Sequence, residues 1–123
     1  MAQSTALRRA LLDLLDKGCP VPELPDIANR PVFILAPESE LGKRFVAGVL
    51  AKLANPVAVV DDLSSAPTIH GLPRWSAFQF LQKAKTVPGA LAIDFSASRF
   101  AGALFEQLAQ QAGVERVDFV RAH

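Results

Sequence analysis

Three short runs, Val32-Phe33-Ile34-Leu35-Ala36, Val57-Ala58-Val59-Val60 and Ala90-Leu91-Ala92-Ile93, are apolar without interruption, and helical patterns separate them. A strand with one wet face alternates apolar and polar residues, whereas a strand covered on both faces reads as a continuous apolar run. These runs therefore require helices on both sides of one sheet, and few folds provide that.

The intervening segments supply such helices. A helix is expected from about Ser39 to Leu53, with Leu41, Phe45, Val49 and Leu53 on its buried stripe. Ser76 with Gln79 three residues on forms a capping-box pattern that starts a second. Ser98 caps a third, striped by Ala101, Leu104, Phe105, Leu108 and Ala112 and closed by Gly113. A last strand is expected at Val117-Asp118-Phe119-Val120. Residues 63–74 read as irregular because Pro67, Gly71 and Pro73 interrupt them. Strand–helix alternation of this kind specifies parallel strands joined by right-handed crossovers. The sequence thus predicts a Rossmann-like three-layer α/β/α domain over residues 31–123, with a mostly parallel sheet of four to five strands.

Residues 1–30 are organised differently. Leu7, Leu11, Leu14 and Leu15 recur at helical spacing after a Ser4 or Thr5 cap. Gly18 stops the pattern, and the stretch from Cys19 to Pro31 carries four prolines, as an extended connector does. The leucine stripe must be buried somewhere, on its own domain, on a second copy or on a missing domain, and the partners it is consistent with are a homodimer mate or a separate catalytic domain.

With 123 residues the chain holds one core and not two. Half of it is apolar and a fifth charged, a composition that excludes disorder. The net charge of +1 is scattered, so neither nucleic acid nor an acidic membrane is an expected partner. Arg8, Arg9, Asp13, Asp16 and Lys17 break the first apolar stripe, which a signal peptide would not tolerate. No run approaches the roughly 20 apolar residues of a membrane span. The single cysteine, Cys19, cannot close an internal disulfide, and a reducing, cytoplasmic setting is expected.

In doubly wound sheets ligands bind beyond the carboxyl ends of the strands. A dinucleotide site would place a G-x-G-x-x-G loop after the first strand, so that backbone amides and the helix N-terminus hold the diphosphate. Aligned on Gly42, the other two glycine positions fall on Pro37 and Ser39. Pro37 has no amide hydrogen, Ser39 has a β-carbon, and Glu38 and Glu40 put negative charge where phosphate would sit. Lys43 and Arg44 follow one turn deeper. Two readings stay open: a well-capped turn in which Gly42 serves helix–strand packing, or an altered anion site.

Asp61 lies 19 positions after Gly42 at the end of the second strand, followed by Asp62, where an acidic residue commonly binds ribose hydroxyls. Asp94, Ser96, Ser98 and Arg99 gather at the end of the third strand and could line a polar cleft on the same rim. The simpler roles are capping for Ser98 and loop tying for Asp94. The histidines, His70 and His123, are distant in sequence, no zinc-type spacing exists, and no metal is expected. A serine-nucleophile elbow is lacking, and Cys19 has no activating neighbour. Trp75, Phe78 and Phe80 read as core packing, or in the case of Trp75 as the rim of a cleft.

Phe33-Ile34-Leu35-Ala36, Glu40-Leu41-Gly42-Lys43-Arg44, Val59-Val60-Asp61-Asp62 and Gly71-Leu72-Pro73 resemble segments of two sugar-modifying families. These are the Rossmann-like N-terminal domains of PglD/NeuD-like sugar acyltransferases and of FkbM-type methyltransferases. The resemblance spans about residues 31–95. It implies a domain that binds a nucleotide-sugar or positions a substrate for a catalytic partner. Arg74 departs from the pattern, which usually has an aliphatic residue after the proline. Neither the acyltransferase hexapeptide repeat nor a methyl-donor-binding domain is in this chain. Ile93-Asp94-Phe95-Ser96 is also similar to a strand end of dihydrodipicolinate-reductase-type enzymes.

Two functions are consistent with these residues. One is a non-catalytic or accessory domain with a degenerate dinucleotide loop. The other is a small NAD(P)-dependent oxidoreductase, with Pro37, Ser39, Gly42, Asp61, Asp62, Asp94 and Ser96 as the cofactor-binding set. For that second reading the sequence offers no catalytic acid or base.

Overall fold

The computed structural model describes Arg9 and residues 30–37, 40–48, 55–62 and 65–119. The predicted first helix apart from Arg9, its connector as far as residue 29, and the predicted site residue Ser39 lie outside the described residues.

Among the described residues from 30 onward, six strands and three helices follow in the order β1 (Val32–Leu35), α1 (Glu40–Gly48), β2 (Pro56–Val60), β3 (Thr68–Ile69), β4 (Leu72–Trp75), α2 (Ala77–Ala84), β5 (Leu91–Asp94), α3 (Arg99–Ala112) and β6 (Glu115–Asp118). They form one sheet with strand order β3-β4-β2-β1-β5-β6. All neighbours run parallel except β3, which returns antiparallel against β4. β1 is therefore the centre from which the chain winds first toward β2 and β4, then back toward β5 and β6. The direction of winding reverses at β1, which makes its carboxyl end the switch point where ligands gather in such sheets.

Right-handed crossovers decide the layers. β1 to β2 moves one way and places α1 on one face; β4 to β5 and β5 to β6 move the other way and place α2 and α3 on the opposite face. The core records this division. Phe33, Leu35, Ala58, Val60 and Ala92 pack with Phe80 and Ala84 of α2 and with Phe105 and Ala109 of α3. On the α1 side Phe45 meets Phe95 and Phe119 at ring-centroid distances of 5.1 and 5.7 Å. All four residues of β1 are buried, and so are all four of β5, as strands with a helix layer on each face should be.

The helix ends follow their predicted chemistry. The Ser76 side chain accepts from the Gln79 amide at 3.1 Å while the Gln79 side chain accepts from the Ser76 amide at 2.9 Å. Ser98 accepts from the amides of Phe100 and Ala101, and Gly113 ends α3 with φ 73°.

Two expectations need correction. Residues 63–74 are not wholly irregular: β3 and β4 form a hairpin there, and it adds the sixth strand to a sheet expected to have four or five. Its turn, His70-Gly71, has φ of 54° and 80°, the double positive-φ geometry of a two-residue hairpin whose twist matches its strands. Gly71 adopts that geometry without a β-carbon penalty; His70 does so less commonly. Pro73 is tolerated on the β3 side because its pair with Thr68 is a non-hydrogen-bonded one: the ladder bond comes from the next residue, the Arg74 amide donating to the Pro67 carbonyl at 3.0 Å. The last strand also starts two residues earlier than expected, at Glu115 rather than Val117.

Candidate functional site

The strand ends define the rim on which every predicted site residue was expected. At the end of β1 the chain turns through Ala36, whose φ of 50° is in the left-handed region, and its amide donates to the Val60 carbonyl at 2.9 Å. A non-glycine residue held there stores on the order of 1–2 kcal/mol of backbone strain. Pro37 follows and is buried. A β-carbon built on Gly42 would lie 2.7 Å from the Pro37 carbonyl oxygen and 2.8 Å from its Cα. Helix α1 thus comes down directly onto the turn backbone, and Gly42 permits that approach.

Asp61 and Asp62 follow β2. The Asp61 main chain is held on both sides: its amide donates to the Trp75 carbonyl at 3.0 Å and its carbonyl accepts from Arg74 Nη1 at 3.0 Å. Arg74 also donates through Nε to the Ala66 carbonyl at 2.8 Å, so one guanidinium spans the loop that leaves β2. The Asp62 carboxylate accepts from the Ala77 amide at 2.8 Å, which ties the same loop to the first turn of α2. Asp61 is buried at 5% exposure, while Asp62 is exposed.

A cavity of about 270 Å³ opens beside these carboxylates. Ala36, Asp61 and Asp62 form its strand-end side, and Phe100, Ala101, Leu104 and Phe105 form the opposite wall on α3. Phe100 is 82% exposed and Leu104 38%, so the cavity mouth carries an apolar surface in contact with water. The volume lies just under the roughly 300–1,000 Å³ of typical ligand clefts, enough for one ring system and too little for a whole dinucleotide.

At the end of β5 the geometry is of another kind. Asp94 is fully buried, and Arg116 of β6 reaches it through Nε at 2.9 Å and Nη2 at 2.8 Å. Its other oxygen accepts from the Ser96 amide at 2.8 Å. Arg116 lies 3.5 Å from Asp118 as well. Lower on the same two strands Arg30 pairs with Glu115 at 2.9 Å and donates to the carbonyls of Gly89 and Ala90. Ser96 is buried, Ser98 caps α3, and Arg99 is exposed.

Of the predicted site residues, the structure brings Asp61 and Asp62 together at the cavity. Pro37 and Gly42 are packed against each other in the turn, and Asp94 and Ser96 are bonded to each other beneath the rim. Among the described residues no group of three metal-ligating side chains could hold an ion, and no helix is long and apolar enough to cross a membrane. Trp75 is half-buried, 5.3 Å from the Phe33 ring centroid, with Lys83 Nζ 5.3 Å over its own ring. Phe80 is in the core, but Phe78 is 65% exposed, contrary to its expected packing role.

Sequence reasoning missed Arg116, Arg74 and Phe100. For Phe100 a signal existed: it falls beside the stripe defined by Ala101, Leu104 and Phe105, and an aromatic off the buried face of a helix faces water. Arg116 and Arg74 act across the sheet, and only strand order reveals their partners.

The sequence matches no protein-family model and no curated protein. Among solved structures, a crystal structure of methyltransferase FkbM from Methylobacillus flagellatus KT is similar to 97% of this chain, with a TM-score of 0.62 and 20% identity. This chain spans 35% of that protein's length. The likeness concerns the fold and falls on the second of the two families that the sequence resembles; the acyltransferase part of the resemblance receives no support from it. The chain is an α/β domain with a mostly parallel sheet, of the architecture found within that methyltransferase structure.

Proposed function

We propose that this chain is a non-catalytic, accessory Rossmann-like domain that holds a substrate for a separate catalytic domain. The substrate sits in the cavity at the ends of β1 and β2. The observation that carries this reading is the cavity itself: it lies at the switch-point side of the sheet, has apolar walls, and is bordered by Asp61 and Asp62. Two further features support it. The polar groups of the rim have structural employment, Asp94 with Arg116, Ser98 as a helix cap, and Asp62 on the Ala77 amide. The chain is also similar in fold to part of a methyltransferase, spanning 35% of its length. The resemblance to sugar-modifying families makes nucleotide-sugars the first ligand class to test.

Calorimetry of the purified chain against nucleotide-sugars, free sugars and NADH tests the reading. Saturable binding of a nucleotide-sugar without its turnover is the expected result. Tight NADH binding accompanied by hydride transfer to an added carbonyl compound would replace it with the oxidoreductase reading.

A further inference from the structure

A surface that pairs with a second copy of itself across a two-fold axis must carry both halves of every contact. It needs a knob and a hole, and a cation and an anion, on one patch. The cavity rim carries all four. The hole is the cavity of about 270 Å³, walled by α3 on one side. An apolar cavity of about 150 Å³ admits a benzene ring, so this one has room for a phenyl side chain. The knob is Phe100 in the first turn of α3, 82% exposed. Asp61 and Asp62 are the anions on the strand-end side. The cation is Arg99, exposed and next to the knob in sequence. No acidic residue lies in the first turn of α3, so the helix dipole adds to the positive charge there. Phe78 widens the patch from α2, whose first turn is tied to Asp62 through the Ala77 amide. Phe78, Phe100 and Leu104 together expose roughly 350 Å² of apolar side chain, taking about 200 Å² for each when fully exposed. A stable interface buries about 800 Å² per partner, so an apolar centre of this size with a charged rim suits a weak, reversible pair.

We propose that two copies of this chain pair through this rim. Each Phe100 ring enters the other copy's cavity, and each Arg99 meets the other copy's Asp62. The interface is isologous and closes on itself, so it yields dimers and no longer assemblies. On the substrate-holding reading above, the paired state fills the cavity that the substrate would occupy. Pairing and substrate binding then exclude each other.

Sedimentation equilibrium of the full chain, from about 1 to about 500 μM, tests this in a range that brackets a micromolar dissociation constant. A monomer–dimer equilibrium is expected. Phe100→Ala, at a site exposed enough to leave folding intact, weakens it more than about thirtyfold, as the loss of a central aromatic anchor does. Arg99→Asp sets carboxylate against carboxylate at both ends of the interface and weakens pairing about fivefold, less so in high salt. Asp62→Lys does the same with two cations. An equimolar mixture of the Arg99→Asp and Asp62→Lys chains recovers pairing as a heterodimer, because each end then holds opposite charges. Leu11→Asp, in the predicted first helix, leaves the equilibrium unchanged. A monomer throughout the range overturns the inference and leaves the substrate-holding reading to its own calorimetry. A dimer that survives Phe100→Ala, or that is lost with Leu11→Asp, overturns it equally, since another surface then makes the contact.

Discussion

β2 and β5 flank the same central strand and run the same way, and each has an aspartate at its carboxyl end, Asp61 just after β2 and Asp94 as the last residue of β5, yet the two ends are built differently. At the end of β5, Asp94 is buried under a bidentate guanidinium from the next strand out, and a loop amide takes its remaining oxygen. At the end of β2, the next strand out also carries an arginine, but Arg74 is aimed at main-chain carbonyls of Asp61 and Ala66. Asp61 and Asp62 then border a cavity. The neighbouring strand's cation thus seals the carboxylate at one strand end and holds main chain at the other. Between these two ends, after β1, Gly42 lets α1 pack against the Pro37 backbone.

The sharpest way to break the comparison is Arg116→Met. It leaves the Asp94 carboxylate buried without its counterion, and the expected loss is about 3–5 kcal/mol of unfolding free energy in urea titration. Adding Asp94→Leu should restore most of that, since replacing both charges with apolar groups removes the desolvation cost along with the attraction. If Arg116→Met costs less than about 1 kcal/mol, the β5 end is not sealed by this pair.

Gly42→Ala has a smaller effect and tests the closed turn. Alanine gains about 1 kcal/mol in helix propensity over glycine, but overpacking against rigid backbone costs about 1–3 kcal/mol, and the overpacking prevails. A net loss is expected in thermal unfolding; a stabilised variant would mean that the turn has room.

The smallest change is Arg74→Leu, which installs the kind of aliphatic residue usual in the resembled families. It removes the guanidinium contacts to Ala66 and Asp61 at a partly exposed position, for a stability loss of about 1 kcal/mol. Its informative readout is amide hydrogen exchange: residues 61–67 should exchange faster while β5 and β6 do not change. Equal exchange in both regions would show that Arg74 does not hold the β2 end.

The strands and helix caps were legible because local chemistry decides them. Continuous apolar runs located β1, β2 and β5 to within a residue, and Ser76, Ser98 and Gly113 marked helix ends that the structure reproduces. The hairpin was hidden by its own turn residues. Pro67, Gly71 and Pro73 read as breakers, and the turn pair His70-Gly71 departs from the usual Asn-Gly or Asp-Gly. The start of β6 was hidden because Glu115 and Arg116 look like solvent-facing residues until the sheet brings Arg30 and Asp94 beside them. For the candidate site, the place of Asp61 and Asp62 after β2 was legible from the apolar run that precedes them. What separates them from Asp94 is the register Asp94↔Asp118 and Ala92↔Arg116, which depends on strand order and has no local signature.

The margins of the sheet bear on how this domain can associate. One margin is β3, only two residues long, and the other is β6, which reads Glu-Arg-Val-Asp and has three of its four side chains charged. A brief strand offers too few unpaired amides to template another chain, and a charged one resists burial of its flank. End-on growth of the sheet from copy to copy is disfavoured at both sides for different reasons. Whatever joins this domain, whether a twin or a catalytic neighbour, must meet it on a helical surface or at the strand ends, where its exposed aromatic side chains already are.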